Sequence, residues 1–340
     1  MDITVKENTA FYNIRQEPFK IYGVFFDEGC FRRLPKTVAE SVSGSVAHLA
    51  CNTAGGRVRF RTDSPYVSVS AKMWAVGKMA HFPLTGSAGF DIYSDNGEGE
   101  VFEGTFIPPW DIEGGYEARV DLGERRSRDI TVNFPLYSGV NEVSIGIDKD
   151  CGISAAADRY RFDKPIVFYG SSITQGGVAS RPGNAYTAIT SRRLCCDHIN
   201  LGFSGSARGE SEIAEYIAGL DMKAFVYDYD HNAPNADHLA ATHKPMFDRI
   251  REKNPDLPIV MMSTTTMDKI IKERDRRREI ILDTYNSALA AGDKNVYFID
   301  GSEIFKTDDG STVEGCHPTD GGFLHMADAL TPILKKILGI

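Results

Sequence analysis

Hydrophobic and polar residues alternate along most of the first 160 positions of the chain. In 57–61 and 66–73, apolar side chains occupy every second position, and Gly, Asp, Asn and Ser residues separate such segments. A period of two, with turn residues about every 8 to 12 positions, is typical of antiparallel strands in a sandwich or jelly roll. Further strands are predicted at 89–93, 100–107, 117–122, 130–135 and 142–147, with no helix except a turn at 34–41.

From about residue 161, short unbroken apolar runs alternate with longer amphipathic stretches. An unbroken run bounded by turns predicts a buried parallel strand, and its alternation with helices predicts a parallel sheet covered on both faces. The predicted strands are 166–169, 199–201, 225–229, 259–263 and 296–299, and the predicted helices are about 184–196, 209–219, 235–253, 268–291 and 320–338. We therefore predict an all-β domain over residues 1–160 and a three-layer α/β domain over residues 161–340.

Composition and charge exclude several classes of protein. The 340 residues are 42% hydrophobic and 25% charged, which is ordinary for a soluble globular protein. The net charge of -9 argues against a nucleic-acid surface and against attraction to anionic membranes. The sequence contains no apolar run long enough to predict a transmembrane helix, and the first residues do not resemble a signal peptide. We expect a cytoplasmic protein, or a secreted or periplasmic one whose signal peptide was removed.

The cysteines and one charged run have unremarkable interpretations. The six cysteines follow no metal-binding or redox spacing, so free thiols and a reducing compartment are expected. The run 269–278, on a predicted helix, is rich in Lys and Arg and is typical of a solvated helix face.

The first candidate catalytic residues directly follow the first predicted buried strand. The apolar run 166–169 stops at Gly170, and Ser171 and Ser172 follow it. Ligands of parallel sheets bind at the carboxyl ends of the strands, where a nucleophile would be displayed. Taken alone, a turn rich in Gly and Ser is equally typical of a phosphate-binding or structural turn.

Three further polar segments follow in order and change that balance. They are 200–205, 228–232 and 314–318, and they contain Gly205, Asn232 and His317. Acyl transfer to water needs a nucleophile, a base, an orienting group and donors for the oxyanion. Each segment alone is typical of a turn or a cap, but together, at predicted strand ends, they supply candidates for each of these groups.

The segment 170–176, Gly-Ser-Ser-Ile-Thr-Gln-Gly, resembles the first signature block of the SGNH (GDSL-like) hydrolases. The resemblance implies that Ser172 is the nucleophile, whereas Ser171 stands where many members carry Asp. It also implies that the oxyanion is held by the backbone N–H groups of Ser172 and Gly205 and by the side chain of Asn232.

The last block of the family, Asp-x-x-His, resembles Glu314-Gly-Cys-His317. The resemblance implies that His317 is the general base and that Glu314 orients it. Glu is one methylene longer than Asp, so the same hydrogen bond requires a displaced backbone. A backbone carbonyl or Asp320 is the alternative partner of His317.

A second resemblance covers the first half of the chain. Gly89-Phe-Asp-Ile-Tyr93 is similar to the Gly-x-Asp-Leu-Tyr word of a bacterial SGNH subgroup with an added N-terminal β domain. This implies a jelly-roll-like sandwich before a flavodoxin-like α/β domain. It also implies an enzyme similar to carbohydrate acetyl esterases, acting on a small-molecule or glycan ester with no metal or cofactor.

Four further residues have two interpretations each. Arg181 and His231 are candidates for substrate binding, or they form a loop salt bridge and a structural contact, respectively. Trp74 and Trp110 either pack under loops or stack on a sugar.

We predict a serine esterase for short-chain acyl esters, acetyl first, through a Ser-His-Glu triad. The alternative is a glycan-binding protein that has lost turnover, which the replacement of Asp by Glu314 motivates. A thiol enzyme using Cys316 is disfavoured, because neighbouring side chains in an extended loop point apart. The sequence leaves open the acyl length, the alcohol and the oligomeric state.

Overall fold

The computed structural model describes residues 3–97, 99–265, 271–305 and 310–340, with no side chains described for 3–5. The chain forms two compact units whose segments are interleaved in the sequence. The β unit consists of Met1–Arg33, Cys51–Arg159 and Ala179–Gly183, and the α/β unit consists of Leu34–Ala50, Tyr160–Val178 and Asn184–Ile340. The division into domains 1–160 and 161–340 stays a prediction.

The β unit is built from antiparallel strands. One sheet has the order β1-β2-β12-β7-β10, and the other has the order β13-β6-β11-β8-β9, with β3 also paired to β6 and with β4 and β5 forming a separate pair. The strands are β1 (Ile3–Lys6), β2 (Thr9–Asn13), β3 (Lys20–Tyr22), β4 (Phe25–Asp27), β5 (Cys30–Arg32), β6 (Arg57–Thr62), β7 (Tyr66–Ala75), β8 (Phe90–Asp95), β9 (Glu100–Phe106), β10 (Gly115–Asp121), β11 (Arg128–Asn133), β12 (Gly139–Asp148) and β13 (Ile153–Ser154).

Alternate residues of these strands form one apolar core. Val67 and Val69 of β7 and Ile130 and Val132 of β11 are fully buried members of the same cluster, which draws on both sheets. Because successive side chains of a strand point to opposite faces, a period of two buries one face of each sheet. The predicted antiparallel sandwich is confirmed.

The α/β unit contains a parallel sheet with the order β15-β14-β16-β17-β18. Numbered within this unit, the order is 2-1-3-4-5, which is the flavodoxin-like order. The strands are β14 (Ile166–Gly170), β15 (His198–Gly202), β16 (Ala224–Asp228), β17 (Ile259–Met262) and β18 (Val296–Ile299). The helices of the chain are α1 (Lys36–Val42), α2 (Gly44–Leu49), α3 (Leu84–Ser87), α4 (Ser172–Gln175), α5 (Tyr186–Leu194), α6 (Ser211–Ala218), α7 (Ala236–Lys253), α8 (Arg274–Ala290) and α9 (Asp320–Leu338), of which α3 alone belongs to the β unit.

Helices cover both faces of this sheet. Val167 and Tyr169 join a cluster with buried residues of α1, α2, α6, α7 and α8. Phe168 points the other way and meets Tyr186 of α5 edge to face, and Tyr186 stacks on Phe323 of α9. This confirms the predicted three-layer arrangement and leaves the carboxyl ends of the strands to the connecting loops.

Some local features differ from the sequence predictions. Helix α1 lies where a turn was expected at 34–41, helix α2 follows it where no helix was expected, and the short strands β1 to β5 were not predicted. Helix α8 begins at Arg274, and residues 268–270 of the predicted helix lie outside the described residues. The charged run does not face solvent throughout, because Arg277 is only 3% exposed. In the described part of the chain, no helix is long and apolar enough to cross a membrane.

Candidate active site

Ser172, the predicted nucleophile, is the first residue of the short helix α4. The buried strand β14 leads directly into this turn, and Ser171 caps it by accepting a hydrogen bond from Ile173 N at 3.1 Å. Ser172 is partly exposed, whereas the rest of the turn is buried. As the first helical residue, its backbone N–H is one of those that a helix leaves without an intrahelical acceptor. The strand and its cap therefore display one serine hydroxyl at the sheet edge.

His317 and Glu314 meet this hydroxyl. Ser172 Oγ lies 2.9 Å from His317 Nε2, and the Glu314 carboxylate is hydrogen-bonded to His317 Nδ1. The same carboxylate accepts from the His317 backbone N–H at 3.3 Å to each oxygen. The predicted nucleophile, base and orienting group thus form one hydrogen-bonded chain. Both ring nitrogens of His317 are therefore in hydrogen-bond contact with other side chains.

The loop before α9 fixes the spacing of Glu314 and His317. Val313 N donates to His317 O at 2.9 Å, and Thr319 N donates to Ser311 O at 2.9 Å, so the loop folds back on itself. Between them, Gly315 has φ +93°, a conformation that favours glycine. This tight turn lets the longer Glu side chain reach the ring of a histidine three residues later.

Gly205 and Asn232, the predicted oxyanion donors, follow the two strands that flank β14. Gly205 has φ +66°, and a Cβ at this position would meet no atom within 4 Å. Glycine is therefore favoured here by the positive φ and not by close packing. Asn232 ends a 3₁₀ turn after β16, and its Nδ2 donates to Phe203 O at 2.9 Å. The nucleophile turn joins this network, because Gln175 Oε1 accepts from Ser204 N at 3.0 Å. Hydrogen bonds therefore connect the three loops.

His231 is held inside a polar cluster. Its Nε2 lies 2.7 Å from Thr264 Oγ1, and its Nδ1 lies 3.4 Å from Asp230 Oδ1. Only 8% of the side chain is exposed. These are the structural contacts that the sequence offered as one interpretation, and substrate binding by His231 stays a prediction.

Arg181 belongs to the β unit, where the residues of the 89–93 word hold it. Its guanidinium donates to Asp91 Oδ2 at 3.0 Å and to the Tyr93 hydroxyl, and it lies 3.8 Å from the centre of the Phe102 ring. Asp91 is fully buried and also accepts from Gly183 N at 2.8 Å. The Asp and Tyr of this word therefore anchor the segment 179–183, and substrate binding by Arg181 stays a prediction.

A buried carboxyl group beside the nucleophile turn was missed by the sequence analysis. Asp228, the last residue of β16, accepts hydrogen bonds from Thr174 Oγ1 and from the Tyr186 hydroxyl, the latter at 3.1 Å. Burial raises the pKa of this carboxyl to about 7. An acidic residue that ends an apolar buried strand was the available signal, because such residues are rarely buried without partners.

Comparison with known proteins agrees with this architecture. A model of the GDSL-like lipase/acylhydrolase family matches residues 163–335, and a model of the N-terminus of Esterase_SGNH_hydro-type proteins matches residues 9–153. A search of curated proteins finds no match. The two family matches confirm the predicted resemblance in both halves of the chain.

Solved structures resemble the chain over its whole length. A protein named as a GDSL-like lipase from Bacteroides ovatus is 28% identical, with a TM-score of 0.89 over 98% of this chain and 99% of the other. The salicylyl-acyltransferase SsfX3 of a tetracycline biosynthetic pathway is 20% identical, with a TM-score of 0.78 over 99% of each chain. A family two carbohydrate esterase from Clostridium thermocellum is 17% identical, with a TM-score of 0.64 over 94% of this chain and 99% of the other. The last two likenesses concern the fold.

The family model covers just over half of the chain, and the second model covers most of the remainder. The chain belongs to the GDSL-like lipase/acylhydrolase family and is a carboxylic ester hydrolase.

Proposed function

We propose that this protein is a serine esterase that removes short acyl groups, acetyl first, from a carbohydrate. The observation that carries the proposal is the hydrogen-bonded chain from Ser172 Oγ through the His317 ring to the Glu314 carboxylate. Such a chain supplies a nucleophile, a base and an orienting group in the order that acyl transfer requires.

In the first step, Ser172 Oγ attacks the ester carbonyl while His317 Nε2 takes the hydroxyl proton. The 2.9 Å separation of these two atoms is within the range for direct proton transfer. Glu314 keeps the proton of the neutral ring on Nδ1, so that Nε2 acts as the base, and it stabilises the imidazolium that forms.

The negative charge that develops on the carbonyl oxygen needs donors that are already in place. We assign this role to the backbone N–H groups of Ser172 and Gly205 and to the side chain of Asn232. A primary amide has two N–H donors, and one of those of Asn232 is used on Phe203 O. That bond fixes the amide plane, and the second N–H is the one that we assign to the oxyanion.

The tetrahedral intermediate then collapses. The imidazolium of His317 gives its proton to the leaving alcohol oxygen, and the acyl group remains on Ser172 Oγ as an ester. Water attacks this acyl-enzyme with His317 again as the base, which releases the acid and restores the serine hydroxyl.

Two structural relatives support a carbohydrate as the alcohol. One is the family two carbohydrate esterase whose structure contains cellohexaose, and another is an acetyl xylan esterase from Butyrivibrio proteoclasticus. Both likenesses are at low identity, so the choice of an acetylated glycan rests on analogy of fold.

The proposal is tested by comparing p-nitrophenyl acetate, butyrate and octanoate with acetylated xylan oligosaccharides, for the wild type and for Ser172→Ala. We expect kcat/KM to fall with chain length, acetate to be released from the glycan, and both activities to vanish in the variant. Glycan binding without release of acetate would favour the binding-protein alternative. Acyl transfer to an added alcohol in preference to water would instead indicate an acyltransferase, as SsfX3 is named.

A further inference from the structure

Arg277 lies on α8, in the charged run that the sequence assigned to a solvated helix face. Its side chain is buried, whereas its neighbour Arg276 is exposed and pairs with Glu273 at 2.8 Å and with Asp237. Burying a guanidinium is costly unless its donors are used, because the charge loses its hydration. The buried guanidinium of Arg277 therefore needs hydrogen-bond acceptors for its N–H groups.

The guanidinium of Arg277 binds backbone carbonyls. Nη1 donates to Asp230 O at 2.5 Å, Nη2 donates to Ala233 O at 3.0 Å, and Nε donates to Lys272 O at 2.9 Å. The first two acceptors lie on either side of Asn232 in the sequence. One rigid planar group thus bridges the two ends of the short turn that carries this amide.

Other hydrogen bonds also hold this turn, among them the one from Asn232 Nδ2 to Phe203 O at 2.9 Å. Asp230 Oδ2 accepts from Thr264 N at 2.8 Å, and Asn232 N donates to Tyr229 O at 2.9 Å. A 3₁₀ turn of three residues is intrinsically weak, because its hydrogen bonds are poorly aligned. The bridge from α8 adds to these bonds a rigid planar group that is hydrogen-bonded to both ends of the turn.

We propose that Arg277 is a positioning residue for the reaction, holding the Asn232 amide where it can donate to the oxyanion. The inference rests on the proposed function, because it gives Asn232 the oxyanion role. Arg277 should therefore contribute to kcat without contributing to substrate binding. A donor preorganised toward the developing charge acts mainly in the transition state, so its loss lowers kcat rather than raising KM.

Lysine cannot replace arginine in this role. A single ammonium group on a flexible stem does not span two carbonyl oxygens in a fixed plane. Arg277→Lys keeps the positive charge but loses the bridge, which separates positioning from simple charge compensation.

The test uses Arg277→Ala, Arg277→Lys and the matched control Arg276→Ala, each alone, and Arg277→Ala also combined with Asn232→Ala. With p-nitrophenyl acetate, we expect Arg277→Ala to lower kcat about 10- to 100-fold and to leave KM within about threefold. Arg276→Ala should match the wild type. In the Asn232→Ala background, the effect of Arg277→Ala on kcat should shrink to within about threefold, since both changes remove the same donor. Guanidinium at a non-denaturing concentration should restore part of the kcat of Arg277→Ala.

Circular dichroism and thermal unfolding identify variants that fail to fold. If Arg277→Ala does not fold, Arg277→Lys carries the test, and a wild-type kcat in that variant overturns the inference. Equal losses of kcat from Arg277→Ala with and without Asn232 also overturn it, because they indicate a general structural role. Failure of the proposed function is a separate result, namely turnover that survives in Ser172→Ala.

Discussion

Thr174 Oγ1 donates a hydrogen bond to the buried carboxyl group of Asp228, and Thr174 lies two residues after Ser172 on the same helical turn. The Tyr186 hydroxyl donates to the other oxygen of Asp228, and Asn200 Nδ2 donates to Thr174 O at 2.7 Å. Three neighbouring elements therefore restrain the turn through a polar network inside the protein. The position of the Ser172 hydroxyl therefore depends on this buried network as well as on its contact with His317.

The titration of Asp228 should make stability depend on pH. The pKa of this carboxyl is raised from an ordinary 3.8 to about 7, chiefly by burial. Nearby Asp230 acts in the same direction, whereas His231 and the hydrogen bonds from Thr174 and Tyr186 act against it. Between about pH 4 and pH 7, the folded state therefore binds a proton that the unfolded state has released, and the free energy of unfolding falls as the pH rises.

We expect Asp228→Asn to remove this pH-dependent change in the free energy of unfolding, which is on the order of 1 to 4 kcal/mol between pH 4 and pH 8. Urea unfolding of both proteins across this range measures it. A wild type whose stability does not fall more steeply than that of the variant would contradict the assignment.

Two glycines near the site should respond differently to the same substitution. A Cβ on Gly170 would lie 2.0 Å from Asp228 Oδ1 and 2.1 Å from Thr174 Oγ1, whereas a Cβ on Gly205 would meet nothing within 4 Å. Gly170→Ala should therefore destabilise the protein by about 2 kcal/mol or more through overpacking. Gly205→Ala should cost only about 1 kcal/mol, because alanine is strained at its positive φ. Denaturant unfolding compares the two, and an equal loss would contradict the packing argument.

Glu314 should matter through its charge and its reach. Glu314→Gln keeps the shape but loses the negative charge that holds the His317 tautomer, so we expect kcat to fall about 10- to 1000-fold. Glu314→Asp should retain more activity than Glu314→Gln, because it keeps a carboxylate on a shorter stem. Steady-state kinetics measure both, with Asp320→Asn as the control. Wild-type activity in Glu314→Gln, with a loss in Asp320→Asn, would assign the role to Asp320.

Asn232→Ala tests the oxyanion assignment. Losing one preorganised donor should lower kcat about 100- to 1000-fold, with KM for p-nitrophenyl acetate nearly unchanged. Asn235→Ala is the matched control, because Asn235 caps α7 by accepting from His238 N at 2.8 Å. That variant should lose about 1 kcal/mol of stability and keep its kcat. If both variants showed the same kcat, Asn232 would not be an oxyanion donor.

The sequence predicted the α/β unit well because its strands are buried on both faces. Every residue of β14 and β16 is buried, so an unbroken apolar run marks each strand. The strands β3, β4 and β5 are three residues long, too short for an alternation to be visible. Helix α2 begins with Gly44 and Ser45, which are weak helix formers, and its cap at Ser43 was not recognised.

The site was predictable where a residue type and its position pointed the same way. Ser172, Glu314 and His317 were chosen by family resemblance, and the structure brings their side chains into hydrogen-bond contact, while their catalytic roles stay proposals. Arg277 and Asp228 were missed because charge predicts exposure. Their burial depends on acceptors and donors that other elements bring to them, which no local pattern in the sequence records.

The central claim, that Ser172 Oγ is the nucleophile, is tested most directly by treating the folded protein with a fluorophosphonate probe and measuring intact mass and peptide mass. We predict that the wild type gains one probe group on Ser172 as turnover of p-nitrophenyl acetate is lost. Ser172→Ala should gain none and hydrolyse nothing, and His317→Ala should label slowly. A probe group on any other residue, or ester turnover that survives in Ser172→Ala, would contradict the account.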